Sequence, residues 1–354
     1  MLPPPRLAGP PTGDAAVRST DTDALVSRVS ASNQGYFSDR FASAFLTPAQ
    51  RRTPERRPPL INIGTHARTW AVDELVEQFL KGSGPDQVGE TAHDKVQVLS
   101  LGAGTDTRFW RLRERWNKAH GGREWPCTRW VEVDFPEATG AKARVVSTKP
   151  ELRSLVGDSV KIEQGGLGLT SFLYALLPGD LRQLSALARS LLSPPASSPT
   201  SAPILDPSLP TLLLLECVLV YLPPSDSDAL LSWFSTTFGS GCVVSYDPFG
   251  LDDSFGQVMK RNLATRGLNL PGADSTPSLD SLMERLKRTG LSGPTEALSI
   301  KQIRESRIPR EELERVNKIE QIDEVEELNL VLDHYAVSWG HVSATSPSIG
   351  LARR

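Results

Sequence analysis

The chain has 354 residues, 39 Lys and Arg against 42 Asp and Glu, and a formal net charge of −3, so it carries no overall basic field for neutralising phosphates and nucleic acid is not its expected partner. Cys127, Cys217 and Cys242 are widely spaced with no C-x-x-C, which fits a reducing compartment and buried neutral thiols better than a disulfide scaffold. The longest apolar run, residues 212–222, is interrupted by Glu216 and reaches about half of a membrane span; with prolines at 3, 4 and 5 where an apolar leader would stand, a soluble, cytoplasmic monomer is expected.

In chain order, residues 1–20 are rich in Pro, Gly and Ala with little to bury, and read as a loose tail. Thr22 or Asp23 is placed to cap a first helix carrying Leu25, Val26 and Val29, and a second is expected around 36–45. Arg51, Arg52, Arg56 and Arg57 cluster between two proline sites, either as a solvated loop or as an electropositive rim for an acidic partner. Residues 60–80 read as a helix with Trp70, Leu75, Val76 and Phe79 on one face and Arg68 beside that stripe. Residues 21–90 thus form a helical unit ahead of the core, and 81–95 contain its linker.

Residues 96–107, V-Q-V-L-S-L-G-A-G-T-D-T, read as a buried strand ending in a tight turn at Gly102 and Gly104. Glycines there let the backbone approach a ligand at the carboxyl end of a doubly wound sheet. Thr107 stands where a dinucleotide fingerprint has its third glycine, so the expected ligand is a nucleoside without phosphates, of which S-adenosylmethionine is the common one. A second strand, 129–135, brings Asp134 to its end, either as an acceptor for ribose hydroxyls or as an ordinary turn aspartate. A third strand is expected over 159–165. Asp180 either caps the helix at 184–192 or accepts from an adenine amino group. Residues 193–210, rich in Ser, Pro and Ala, read as a mobile insertion.

Residues 211–222, T-L-L-L-L-E-C-V-L-V-Y-L, read as a central strand covered on both faces. An unpaired carboxylate inside it would cost several kcal/mol, so Glu216 is either paired in a buried salt bridge or set where the strand opens into a cleft. Tyr221 is core or cleft. A fifth strand is expected at 241–249, then a helical insertion over 251–295 placed to build a substrate pocket, and two last strands within 296–303 and 330–342. The second of these reads as an edge strand and follows an acidic helix at 311–328; residues 346–354 read as a tail. The five histidines have no metal-ligand spacing, and neither a nucleophile elbow nor a P-loop is present. No metal is expected, and a reaction with little acid–base machinery, such as methyl transfer from a sulfonium, fits what remains.

The blocks L-G-A-G-T-D-T-R-F-W-R-L (101–112), E-V-D-F-P (132–136), D-L-R (180–182), E-C-V-L-V-Y-L (216–222), F-G-Q-V-M (255–259) and H-Y-A-V-S-W (334–339) occur in order. Together they resemble the leucine carboxyl methyltransferase family, over roughly 21–342. The resemblance implies an α/β, class I S-adenosylmethionine-dependent methyltransferase fold, Rossmann-like with a seven-stranded mixed sheet, an N-terminal helical lid and a helical insertion after the fifth strand. It further implies methylation of the C-terminal leucine α-carboxylate of the protein phosphatase 2A catalytic subunit. Gly102 and Gly104 would lie against the cofactor, Asp134 would hold its ribose, Asp180 and the Leu181 backbone would read adenine, and Glu216 would face the methionine amino group. Arg68, in T-H-A-R, would grip a carboxylate of cofactor or substrate, with Tyr221 lining the pocket as its catalytic companion. Arg28 falls where the family usually has a cofactor-side lysine. Two departures stand out: Ile63 replaces the arginine of I-N-R-G, and the segment before Asp180 is short. A small-molecule O-methyltransferase, or a non-catalytic cofactor-binding regulator of the phosphatase, remain the alternative readings.

Overall fold

The computed structural model describes residues 13–82, 95–194 and 202–354. The helices α1 (Asp14–Gln34), α2 (Pro48–Arg52) and α3 (Pro59–Lys81) precede β1 (Val96–Leu101) and α4 (Arg108–His120). There follow β2 (Cys127–Asp134), α5 (Pro136–Thr148), α6 (Pro150–Arg153), β3 (Lys161–Glu163), β4 (Gly168–Thr170), β5 (Tyr174–Pro178) and α7 (Leu184–Leu192). The next group is β6 (Thr211–Glu216), α8 (Pro224–Thr237), β7 (Gly241–Pro248), α9 (Ser254–Thr265) and α10 (Leu279–Arg288). The chain closes with β8 (Thr295–Ser299), α11 (Ile300–Ser306), α12 (Arg310–Val316), α13 (Val325–Asp333) and β9 (Tyr335–His341).

Among the described residues nine strands make one mixed sheet in the order β3-β4-β5-β2-β1-β6-β7-β9-β8. The run β5-β2-β1-β6-β7 is parallel, and β9 and β8 continue it antiparallel. These are seven strands of the expected kind; the other two are the β3–β4 hairpin, which extends the edge beyond β5. The expected third strand at 159–165 falls on that hairpin, and the third parallel strand is β5, which leads to Asp180. Alternation along the strands divides the core in two. Val98, Trp130, Leu212, Leu214 and Val244 face a cluster with α3, α4 and α5, while Leu99, Val131, Leu213, Leu215 and Val243 face one with α7 and α8.

Several boundaries move. Residues 14–20, expected in the tail, are helical, so Thr22 and Asp23 lie inside α1 and neither caps it; residues 1–12 lie outside the described residues, as does most of the 81–95 linker. The helix expected around 36–45 is a single 3-10 turn at Ala42–Phe45. Of the 193–210 insertion, 195–201 lie outside the described residues, and Leu205 is fully buried. The acidic helix splits into α12 and α13, and β9 lies inside the sheet while β8 forms its edge. Residues 346–354 are no loose tail, since Ile349 and Leu351 are buried. No helix among the described residues is long and apolar enough to cross a membrane.

Candidate active site

A cavity of about 440 Å³ lies over the carboxyl ends of β1, β2 and β6 and the residues after β5. Its floor is the turn after β1, where Gly102 and Gly104 have φ of +64° and +45°. A Cβ at 102 would stand 2.6 Å from Val218 Cγ2, and one at 104 would collide with the Asp21 carboxylate. Both positions favour glycine by their positive φ, and at 102 the Val218 side chain adds a steric reason. Behind the turn, buried Lys142 pairs with buried Glu132 and donates to the Asp106 carbonyl at 2.8 Å.

Asp134 ends β2. Its Oδ2 accepts from the Gly104 amide at 2.7 Å and its Oδ1 from the Phe135 amide at 2.7 Å, leaving a lone pair on each oxygen for a ligand hydroxyl. Burial pushes this carboxyl up, against the pull of the two amides. Asp180 lies past β5 with Leu181 at the cavity wall. The helix at 184–192 has Gln183 at its cap position and no side-chain cap, so the capping alternative for Asp180 falls away. Its carboxylate is instead forked by Arg182, which holds it below the usual range and also reaches Asp14 on α1 at 2.9 and 2.8 Å.

Glu216 ends β6 and is both things the sequence left open: it is paired, and it faces the cavity. Arg68 Nε donates to its Oε2 at 2.7 Å, and Arg108 donates to Oε1. Burial pushes the carboxyl up, but Arg108 and Arg68 outweigh that and hold it low. Arg108 continues the network to Asp106 (2.6 Å) and Asp73 (2.8 Å), and Arg111 also binds Asp73. The Arg68 guanidinium stands 4.4 Å from the centre of the Tyr246 ring, which stacks on Tyr335 at 5.4 Å. Arg28 donates to the Thr105 carbonyl and hydroxyl at 2.7 and 2.8 Å, so in this structure its guanidinium steadies the glycine turn. Tyr221 lines the cavity together with Thr20 of α1.

The sequence reading missed Arg108, Asp73, Arg182 and Asp21. Arg108 carried a signal: it is the first residue of a helix, where a cation opposes the helix dipole and needs an acid nearby. Asp21 carried none, because its partner, the amide and hydroxyl of Thr105 at 2.8 and 2.7 Å, is 84 residues away. The insertion at 251–295 contributes no cavity-lining residue among those described; Met259 and Leu270 pack behind Tyr221. The outer wall comes instead from α1, α3, Ile300 and α13. Ile63 is buried in the core, so no place for a charge stands open there. Arg56 pairs with Glu320 and Arg57 with Glu55 and Asp23, while Arg51 and Arg52 are exposed and make no ion pair among the described residues. No group of metal-ligating side chains occurs among the described residues.

The chemistry of the donor set fits S-adenosylmethionine: beside the glycine turn stand a half-buried carboxylate with free lone pairs that could accept from hydroxyls, a second carboxylate past β5, and an arginine–glutamate pair able to meet opposite charges. Fold and site define a class I S-adenosylmethionine-dependent methyltransferase.

The leucine carboxyl methyltransferase family profile matches residues 16–235. Leucine carboxyl methyltransferase 1 of Cryptococcus neoformans is 41% identical over 372 aligned residues, covering 98% of this chain and 99% of its own. The namesake proteins of Aspergillus fumigatus and Bos taurus are 40% and 32% identical, covering 93% and 79% of this chain and 83% and 76% of their own. Solved structures that align include a geranyl diphosphate methyltransferase in complex with GPP and sinefungin, at 8% identity and a TM-score of 0.45 over 92% of this chain and 99% of the other, a distance too great to inform the chemistry here. The chain belongs to the leucine carboxyl methyltransferase family and is an S-adenosylmethionine-dependent carboxyl methyltransferase.

Proposed function

We propose that the acceptor is the C-terminal leucine α-carboxylate of the protein phosphatase 2A catalytic subunit, converted to its methyl ester. The observation that carries this reading is the polarity of the cavity. The lining has two parts, polar groups at Gly102, Asp134 and Glu216 and the apolar side chains of Leu60, Ile61, Ile300, Leu332 and Tyr335, and Arg68 meets both, donating to Glu216 and lying over the Tyr246 ring that stacks on Tyr335. An aliphatic residue with a free carboxylate matches that second half, side chain against the apolar wall and carboxylate toward the arginine. The names of the relatives support a leucine carboxyl as acceptor.

S-Adenosylmethionine, when bound, supplies an electrophilic methyl group on a sulfonium. A C-terminal carboxyl has a pKa of about 3.5, so the nucleophile is already ionised at neutral pH and no general base is required. In the transfer an O–CH3 bond forms as the S–CH3 bond breaks, and both charges are lost, which water exclusion favours. The chain's work is then alignment, worth roughly 7–11 kcal/mol where it is good. In this reading Arg68 orients a carboxylate, Tyr221 and Tyr246 shield the reacting centre, Glu216 receives the amino group, Asp134 holds the ribose, and Asp180 with Leu181 reads the base. Arg28 acts through Thr105. We also propose a cytoplasmic, monomeric enzyme, in keeping with its free thiols.

The test is transfer of labelled methyl from S-adenosylmethionine to the phosphatase catalytic subunit with and without its last leucine. Label that depends on the leucine is expected. Label that persists without it, or transfer only to free acids or phenols, would overturn the reading.

A further inference from the structure

Between β6 and α8 the chain makes a tight turn that forms one wall of the cofactor cavity. Cys217, Val218, Tyr221 and Leu222 face the cavity from it, and Val218 is the side chain that excludes any Cβ at Gly102. The turn is under tension, since Cys217 has φ +55° without being glycine, a conformation that persists only where its surroundings fix it. Three contacts from outside the turn do so. The Cys217 amide donates to the Tyr246 carbonyl at 2.6 Å, Gly272 donates to the Val220 carbonyl at 3.0 Å, and the Val220 amide donates to Asp247 Oδ1 at 3.3 Å.

Asp247 is the unusual member. It sits near the end of β7, 4% exposed, outside the cavity, and its Oδ2 has no hydrogen-bond partner. Its counter-charge is Arg285 on α10, itself 2% exposed with an unpaired Nε and forming no ion pair with it at contact distance. A buried carboxylate left so poorly compensated is costly for a merely structural residue. What its carboxylate holds directly is the turn that forms the cavity wall.

We infer that Asp247 is a positioning residue for the cofactor, holding the 217–222 turn against Gly102 through its carboxylate and doing so best when ionised. An ionised acceptor makes the stronger hydrogen bond, so the wall tightens as the carboxyl loses its proton. Burial pushes that carboxyl up to about 7, against the pull of Arg285 and the Val220 and Val218 amides. The other groups that face it are Arg68 from α3, Cys217 and Tyr221 from the turn, and Tyr335 from β9. The arginines stay charged. Cys217 is pushed up to about 12 by burial, and both tyrosines are pushed up from their ordinary value by burial. Asp247 is thus the member of this set whose charge changes between pH 6 and 8, and no histidine lines the cavity among the described residues.

The inference rests on the cofactor and not on the acceptor, so it is tested by binding alone. The affinity of the full chain for S-adenosylhomocysteine is measured from pH 6 to 8 for the wild type and Asp247→Asn, with the fold checked by near-UV circular dichroism. The ratio of the two affinities cancels the ligand's own titration. That ratio is expected to rise at least threefold in favour of the wild type as pH increases, with a midpoint near 7. A ratio constant across the range, whether near one or uniformly reduced as for a purely structural loss, would overturn the inference. If Asp247→Asn does not fold, Arg285→Gln serves: removing the counter-charge should move the wild-type midpoint to higher pH, and an unmoved midpoint would be equally fatal.

Discussion

At the scale of single residues, the site is organised by a chain of alternating charges, Arg68–Glu216–Arg108–Asp73–Arg111, of which all but Arg68 and Glu216 are buried. Removing one member of such a network leaves its partners charged and unpaired, at a cost of about 3–5 kcal/mol. Arg108→Met, which touches both Glu216 and Asp73, is therefore expected to lower unfolding stability by about that amount at pH 7, read by urea titration. The dependence on pH has a definite sign. Burial opposes ionisation of Asp73, but Arg111 and Arg108 hold its carboxyl well below the ordinary range. Its stabilisation is therefore complete above about pH 4 and lost as acid carries the pH down through the depressed value. The deficit of Arg108→Met should accordingly shrink below pH 4. Arg68→Ala tests the other end: catalytic efficiency is expected to fall at least tenfold, and a loss within twofold would remove Arg68 from the reaction. Glu216 was legible because an acid in an apolar strand demands an explanation. Arg108 was harder to read, because its acids come from α3 and from the turn, and only folding brings them together.

At the scale of elements, the parallel strands β1, β6 and β7 were readable because burial on both faces favours apolar runs, and β2 because its apolar residues alternate with polar ones up to Asp134. Of the β3–β4 hairpin the first strand was legible, within 159–165, but not its place at the edge nor its partner β4, since three-residue edge strands carry exposed side chains such as Ile162 and follow no buried pattern. Helix α1 was misread at its start for a related reason. Its first turns bury little apolar surface and are held by charge: Asp14 to Arg182, Asp21 and Arg28 to Thr105, Asp23 to Arg57 and Arg266. Of these ties, Asp21 and Arg28 each join the helix to the glycine turn through two bonds, and Asp21 is the acceptor of the pair. Asp21→Ala is expected to speed amide hydrogen exchange across residues 14–28 and to raise the KM for S-adenosylmethionine several-fold with kcat little changed. Exchange in α1 matching the wild type would mean that the tie does not hold the cover in place.

At the scale of the whole molecule, the last residues fasten three parts of the fold. Ser346 and Pro347 bond to Gly241 and Cys242 at the start of β7, Gly350 donates to Gln78 of α3 at 2.9 Å, and Leu351 accepts from Arg307 beyond α11 at 2.5 Å. Burying Ile349 and Leu351 is worth about 1.5–3 kcal/mol each before the entropy of ordering the segment is subtracted. Removing residues 347–354 is thus expected to cost about 2–4 kcal/mol at pH 7.5. His341 makes that cost depend on pH. Its Nε2 accepts from the Ile349 amide at 3.1 Å while Nδ1 faces the Pro294 carbonyl at 2.8 Å, an arrangement that only the neutral ring with its proton on Nδ1 satisfies. Burial lowers the ring's pKa below its ordinary value, against the pull of the Pro294 carbonyl. Below about pH 6.5 the unfolded chain therefore binds a proton that the folded one refuses, and stability falls as pH drops. Protonation also abolishes the acceptor that holds Ile349, so full-length and shortened chains should differ less at pH 5.5 than at 7.5 in parallel denaturant titrations. A difference that stays the same at both pH values would show that the tail is held by its apolar side chains alone.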